Sequence, residues 1–122
     1  RGGGGPRPDR PELTGPRTML VARDPVTNTE VWRVASEGFA GNGGTMSTGG
    51  NLVFRGSGSQ LIAHNATTGE VLWHTEIGGG TATPMTYSLD GVQYLSIAGT
   101  MARVPRMWTF VLDGTAERPG GN

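Results

Sequence analysis

Between residues 18 and 113 the apolar positions come in short runs broken by turn-forming residues. The runs are Met19–Arg23, Glu30–Val34, Gly44–Thr48, Leu52–Gly56, Gln60–His64, Glu70–Thr75, Thr83–Ser88, Gln93–Ala98 and Met107–Leu112. No window keeps helical spacing over 11 or more residues without a Gly or Pro, so the pattern predicts an all-β chain. Asp24–Thr29 and Asn65–Gly69 read as tight loops. Gly49-Gly50-Asn51, Gly56-Ser57-Gly58-Ser59 and Asp90-Gly91 read as hairpin turns. Asp90-Gly91 suits a turn with positive φ, which Gly tolerates freely and Asp comes close to tolerating.

Two of these units repeat. Leu20-Val21-Ala22-Arg23-Asp24-Pro25-Val26-Thr27-Asn28-Thr29-Glu30-Val31-Trp32 is matched, 41 residues on, by Leu61-Ile62-Ala63-His64-Asn65-Ala66-Thr67-Thr68-Gly69-Glu70-Val71-Leu72-Trp73. Asp24 and Asn65 fall in register, as do Asn28 and Gly69. The first pair suits a side chain that accepts from backbone N–H groups within the turn. The second suits a left-handed backbone. A period of about 40–50 residues with one aromatic signature per repeat predicts β-propeller blades. Residues 44–75 make one four-stranded blade, residues 19–34 the last two strands of the blade before it, and residues 83–112 three strands of the blade after it. That is one and a half to two and a quarter blades of a larger propeller. The last blade lacks a fourth strand, and an open edge of this kind calls for a strand from elsewhere in a longer chain.

The 22 glycines and 8 prolines are partly concentrated at the ends. Residues 1–17 read as a Gly/Pro-rich loop or linker, residues 18–113 as the propeller blades and residues 114–122 as a flexible tail. Ten acidic residues balance ten basic ones, all of them arginine. A neutral chain without basic patches interleaved with aromatics offers no case for nucleic acid. The absence of cysteine excludes disulfides and thiolate chemistry within this stretch.

Few residues carry a chemical signal. His64 and His74 lie at no ligand spacing from a carboxylate, and they are expected at a surface or strand edge rather than on a metal. Asp90 and Asp113 precede glycines and read as turn residues. Gly78-Gly79-Gly80-Thr81 lacks the Lys of a phosphate loop and reads as a connection between blades. Trp32 and Trp73 are expected to pack between neighbouring blades, each burying a large apolar area. Asn42-Gly43-Gly44 stands out because an amide can donate to a ligand oxygen while glycines let backbone approach a flat molecule. From the residues alone, a turn between blades is the alternative reading of that triplet.

Three signatures resemble the quinoprotein dehydrogenases that use pyrroloquinoline quinone (PQQ), in their methanol/ethanol (alcohol) dehydrogenase branch. One is Thr-Gly-Glu-x-x-Trp at Thr68–Trp73, with a looser copy at Thr27–Trp32, similar to the tryptophan-docking motif of that family. Another is Asn42-Gly43-Gly44-Thr45-Met46-Ser47-Thr48-Gly49-Gly50-Asn51-Leu52-Val53-Phe54-Arg55-Gly56. The third is Thr83-Pro84-Met85-Thr86-Tyr87 followed by Asp90-Gly91-x-Gln93-Tyr94-Leu95. The resemblance implies the C-terminal part of an eight-bladed, periplasmic and in some cases membrane-associated oxidoreductase. Such an enzyme oxidises a small alcohol to an aldehyde with PQQ and passes electrons to cytochrome c or a membrane quinone. It implies a calcium or lanthanide ion whose ligands, like the catalytic base, lie outside this chain, so no catalytic or metal residue is assigned here. The cofactor contacts it implies within the chain are Asn42, Gly43 and Gly44. The partners it implies include the remaining blades of the same propeller, and the chain alone is expected to be inactive. The competing reading is a piece of a non-catalytic propeller scaffold, which has no reason to keep the Asn42–Gly56 segment.

Overall fold

The computed structural model describes residues 18–36 and 42–115. The predicted linker 1–17 and most of the predicted tail 114–122 lie outside the described residues. Nine strands form: β1 Thr18–Arg23, β2 Glu30–Ser36, β3 Asn42–Thr48, β4 Leu52–Ser57, β5 Gln60–Asn65, β6 Val71–Glu76, β7 Met85–Leu89, β8 Val92–Met101 and β9 Val104–Val111. They pair antiparallel, each with its sequence neighbour, into three sheets: β1-β2, then β3-β4-β5-β6, then β7-β8-β9. The predicted division into two, four and three strands is the observed one.

The turns follow from local chemistry. In the loop after β1, Asp24 Oδ1 accepts from the backbone N–H groups of Val26 (2.7 Å) and Thr27 (3.2 Å). In the loop after β5, Asn65 Oδ1 accepts from Thr67 (2.9 Å) and Thr68 (3.3 Å). The backbone closes both loops alike, Asn28 N donating to Asp24 O and Gly69 N to Asn65 O, each at 2.8 Å. Asn28 has φ 56° and Gly69 φ 78°. One turn is thus built twice from different residues of equivalent chemistry. Asp90 (φ 51°) and Gly91 (φ 79°) make the expected positive-φ hairpin.

One hairpin departs from expectation. The sequence ends a strand at Ala98 and starts the next at Met107. Instead β8 runs on to Met101 and β9 starts at Val104, joined through Ala102 (φ 51°) and Arg103 (φ 65°). This two-residue turn uses left-handed backbone without Gly, Asn or Asp, so its usual signal is missing. Pro105 is tolerated because β9 is an edge strand.

Directly paired residues share a face of a sheet, so the register assigns the packing. Leu20, Ala22, Trp32 and Val34 of the first sheet face the second. Phe54, Leu61 and Ala63 of the second sheet face the third. The core lies in this second seam: Leu61, Ile77 and Ile97 are buried, with Phe54, Leu95, Trp108 and Phe110 packed against them. The segment after β6 runs beside β8. Ile77 N donates to Ser59 O (2.8 Å), Thr100 N to Gly79 O (2.7 Å) and Ala82 N to Ala98 O (3.0 Å). The glycine-rich stretch from Gly78 is therefore a connection between sheets, as its sequence indicated.

Candidate functional site

The sheets are joined by aromatic side chains that reach from one sheet to the next. Trp32 Nε1 donates to Ala66 O at 2.9 Å, across the first seam. Its ring covers Gly69, where an added Cβ would stand 2.7 Å from Cε3. Across the second seam Trp108 Nε1 donates to Ile77 O at 2.9 Å. Trp73 also reaches the third sheet, meeting Phe110 edge-on with ring centroids 5.6 Å apart. Yet Trp73 remains 42% exposed, so the expectation that it buries a large area is corrected. The turn that covers Trp32 joins β5 to β6, whereas the third sheet ends at β9 and brings no equivalent turn over Trp73 among the described residues.

Asn42, Gly43 and Gly44 begin β3, an edge strand paired on one side, to β4. Asn42 stands opposite Ser57, and the register then shifts so that Thr45 is the next paired residue. Gly43 and Gly44 fall inside this irregularity. A Cβ on Gly43 would lie 2.7 Å from Thr81 Oγ1 and 2.9 Å from Ala82 O. One on Gly44, which has φ +76°, would run into the Thr83 side chain. Gly56, on β4, meets Thr81 in the same way, with a Cβ 2.7 Å from its Oγ1. The glycines therefore let the start of the second sheet close onto residues 81–83, the approach to the third sheet. The structure brings the three predicted residues together at one sheet end, with the outer edge of β3 unpaired by any described strand.

The two histidines differ. His74 lies exposed on β6, but His64 is fully buried, which corrects its expected surface or strand-edge place. The cause is that β5 is an interior strand covered on both faces: Leu61 and Ala63 turn to the third sheet, whereas His64 turns the other way, toward the first, on the face it shares with Ile62 and Arg55. Nδ1 of His64 lies 2.9 Å from Gly69 O, which fixes the proton on that nitrogen because a carbonyl can only accept. Nε2 is buried without a partner. Burial holds the His64 pKa below its ordinary value, against the opposing pull of the Gly69 carbonyl, and the Arg55 charge lowers it further.

Arg55 was not singled out by the sequence reading. It sits on β4 on the same face as His64, half-buried, with Nε buried and unpartnered. The signal was present as a charge directly after Leu52-Val53-Phe54 in an interior strand. Among the described residues no three His, Cys, Asp or Glu side chains converge as metal ligands, and no helix is long and apolar enough to cross a membrane.

Residues 18–95 match the family described as "PQQ: Glucose/ethanol/alcohol dehydrogenase, beta-propeller domain". The chain is 40% identical over 125 aligned positions to 1-butanol dehydrogenase (cytochrome c) of Thauera butanivorans, covering 90% of this chain and 18% of that protein. It is 39% identical over 124 positions to the quinohemoprotein alcohol dehydrogenase of Comamonas testosteroni, covering 89% and 17%. The crystal structure of quinohemoprotein alcohol dehydrogenase from Comamonas testosteroni superposes with a TM-score of 0.75 at 35% identity, covering 90% of this chain and 19% of that one. The chain thus spans about a fifth of the length of these relatives. With its strand-by-strand antiparallel sheets, its repeated turn and these matches, the chain belongs to the β-propeller family of the PQQ-dependent glucose, ethanol and alcohol dehydrogenases.

Proposed function

We propose that this chain is the C-terminal part of an eight-bladed quinoprotein that oxidises a small alcohol to an aldehyde. The observation that carries the reading is the superposition of nine-tenths of the chain on a quinohemoprotein alcohol dehydrogenase. When bound, PQQ supplies the two-electron acceptor. Electrons then leave to cytochrome c or a membrane quinone. Two relatives are named as cytochrome c-linked enzymes, the 1-butanol dehydrogenase and lupanine 17-hydroxylase. In this reading the protein is periplasmic, and a calcium or lanthanide ion is held by ligands outside this chain.

The residues at the start of β3 fit such a cofactor. In a propeller one edge strand of each blade borders the central channel, and Asn42 begins the edge strand β3. Its amide can donate to a quinone or carboxylate oxygen. Gly43 and Gly44 give that strand end backbone without side chains, held in place by residues 81–83. Their role is to orient Asn42 and to keep water from the seam behind it, while their own backbone borders the ligand. The base that takes the alcohol proton lies in other blades.

The test is alcohol-dependent dye reduction by the full-length protein reconstituted with PQQ and calcium. Activity that depends on the quinone supports the reading. A full-length protein that binds no quinone and reduces no dye overturns it in favour of a scaffold.

A further inference from the structure

The first sheet is half as wide as the second, and the seam between them holds Arg55, whose Nε is buried without a partner among the described residues. By the repeat, β1 and β2 correspond to β5 and β6. The free edge of β1 therefore corresponds to the edge along which β5 pairs with β4. Across the seam, β3 and β4 have no counterpart in the first sheet among the described residues. Arg55 stands in this unopposed half. It lines a cleft together with Val34, Ser36, Ser57, Gln60 and Ile62. Its Nε is buried without a hydrogen-bond partner, and the ion pair found among the described residues is elsewhere, between Arg33 and Glu30. Ser36, also lining the cleft, is 6% exposed and its hydroxyl is likewise unpartnered. Among the described residues no Asp or Glu lines the cleft.

Folded proteins leave few buried polar atoms unpaired, and a desolvated cation without an anion is costly. A guanidinium donates and never accepts, and the serine hydroxyl can donate beside it, so the missing group is an acceptor, and a carboxylate matches the guanidinium charge best. We propose that the strand extending the first sheet along the free edge of β1 carries an Asp or Glu whose carboxylate pairs with Arg55 across this seam. The register names the positions. In the second sheet Phe54 and Gly56 of β4 lie opposite Ala63 and Leu61 and face the third sheet. The equivalent positions of the added strand lie opposite Ala22 and Leu20 and face Arg55's side of the second sheet. This inference rests on the chain being part of a longer propeller.

The experiment begins with the upstream coding sequence and continues with Arg55→Leu and Arg55→Lys in the full-length protein, melted without quinone. An acid at one of the two positions is expected. Arg55→Leu then lowers the melting midpoint by several degrees, and Arg55→Lys by less. Changing the acid to its amide costs nothing further once Arg55 is leucine, because paired residues are non-additive. No acid at either position, an unchanged or raised midpoint in Arg55→Leu, or fully additive losses overturn the proposal. If Arg55→Leu fails to fold, the Arg55→Lys and amide variants carry the same comparison. An Arg55-dependent rise in midpoint with acetate, and none with chloride, assigns the cleft to a free carboxylate and overturns the strand-borne pairing. An upstream frame encoding no propeller strands overturns the propeller reading itself, a separate failure.

Discussion

The indole of Trp32 occupies the space that a side chain on Gly69 would need. Trp32 closes the first copy of the repeated unit and Gly69 forms the turn of the second, so a local signature is also a contact between sheets. Gly69→Ala meets two penalties there: a left-handed backbone and a Cβ 2.7 Å from the ring. It is expected to cost about 2–4 kcal/mol. Asn28→Ala, at the equivalent but exposed turn position, carries the backbone penalty and the loss of an exposed hydrogen bond from Arg23 Nε but no clash, about 1 kcal/mol. Denaturant midpoints of the two variants measure the difference, and equal losses would mean that Trp32 is not seated on Gly69.

The tryptophans should separate in the same way. Trp32 is half-buried and its N–H is bonded to Ala66, whereas Trp73 is 42% exposed and meets Phe110 by an edge. In this 122-residue chain Trp32→Ala is expected to cost about 3 kcal/mol and Trp73→Ala about 1–2 kcal/mol. A larger loss at Trp73 would place a cover over it that the three-stranded third sheet does not provide.

Strands and turns were legible because they depend on neighbours in sequence. Asp24, Asn65, Asn28 and Gly69 each state their role in a five-residue turn. The Ala102-Arg103 turn was not legible, since it is set by the pairing of β8 with β9 and not by residues that favour positive φ. His64 was misplaced because its face of β5 is covered by the neighbouring sheet, and sheet-on-sheet cover is set by packing between blades rather than by residues nearby in sequence. At the candidate site the triplet Asn42-Gly43-Gly44 was visible as a motif. That its glycines face Thr81, Ala82 and Thr83 was not, because the contact spans some 40 residues.

The burial of His64 predicts a pH dependence. Its folded pKa lies below the unfolded value of about 6.5. The unfolded chain therefore binds the proton more readily, and stability falls as pH drops below about 6.5 toward the folded pKa, while above that range it is flat for this group. Arg55 acts in the same direction. Denaturant midpoints between pH 8 and pH 5 should decline on the acid side. His64→Gln should remove that share of the slope, and an unchanged slope would assign it to other groups.

The chain alone should not oxidise alcohol. Added PQQ and calcium should produce no alcohol-dependent dye reduction with residues 1–122, since the proposed base and metal ligands lie in other blades. Turnover by the isolated chain would mean that a complete site exists within it and would sink the division proposed here.

Packing and cofactor contact can be told apart at the start of β3. Gly43 closes against Thr81 Oγ1 and Ala82 O, so Gly43→Ala must push one sheet from the next and is expected to cost about 1–3 kcal/mol of stability, whatever the quinone does. Asn42 precedes that contact at the strand end, and in the proposed site its amide donates to the ligand. Asn42→Ala in the full-length protein should therefore leave the melting midpoint of the quinone-free form within about 0.5 kcal/mol of the parent. It should weaken PQQ binding by about tenfold, the equivalent of one lost hydrogen bond of about 1.4 kcal/mol. Quinone titration followed by tryptophan fluorescence reads the second quantity without relying on turnover. If Asn42→Ala lowers stability as Gly43→Ala does and leaves quinone affinity untouched, the whole triplet is a joint between sheets and the cofactor contact must be sought in another blade.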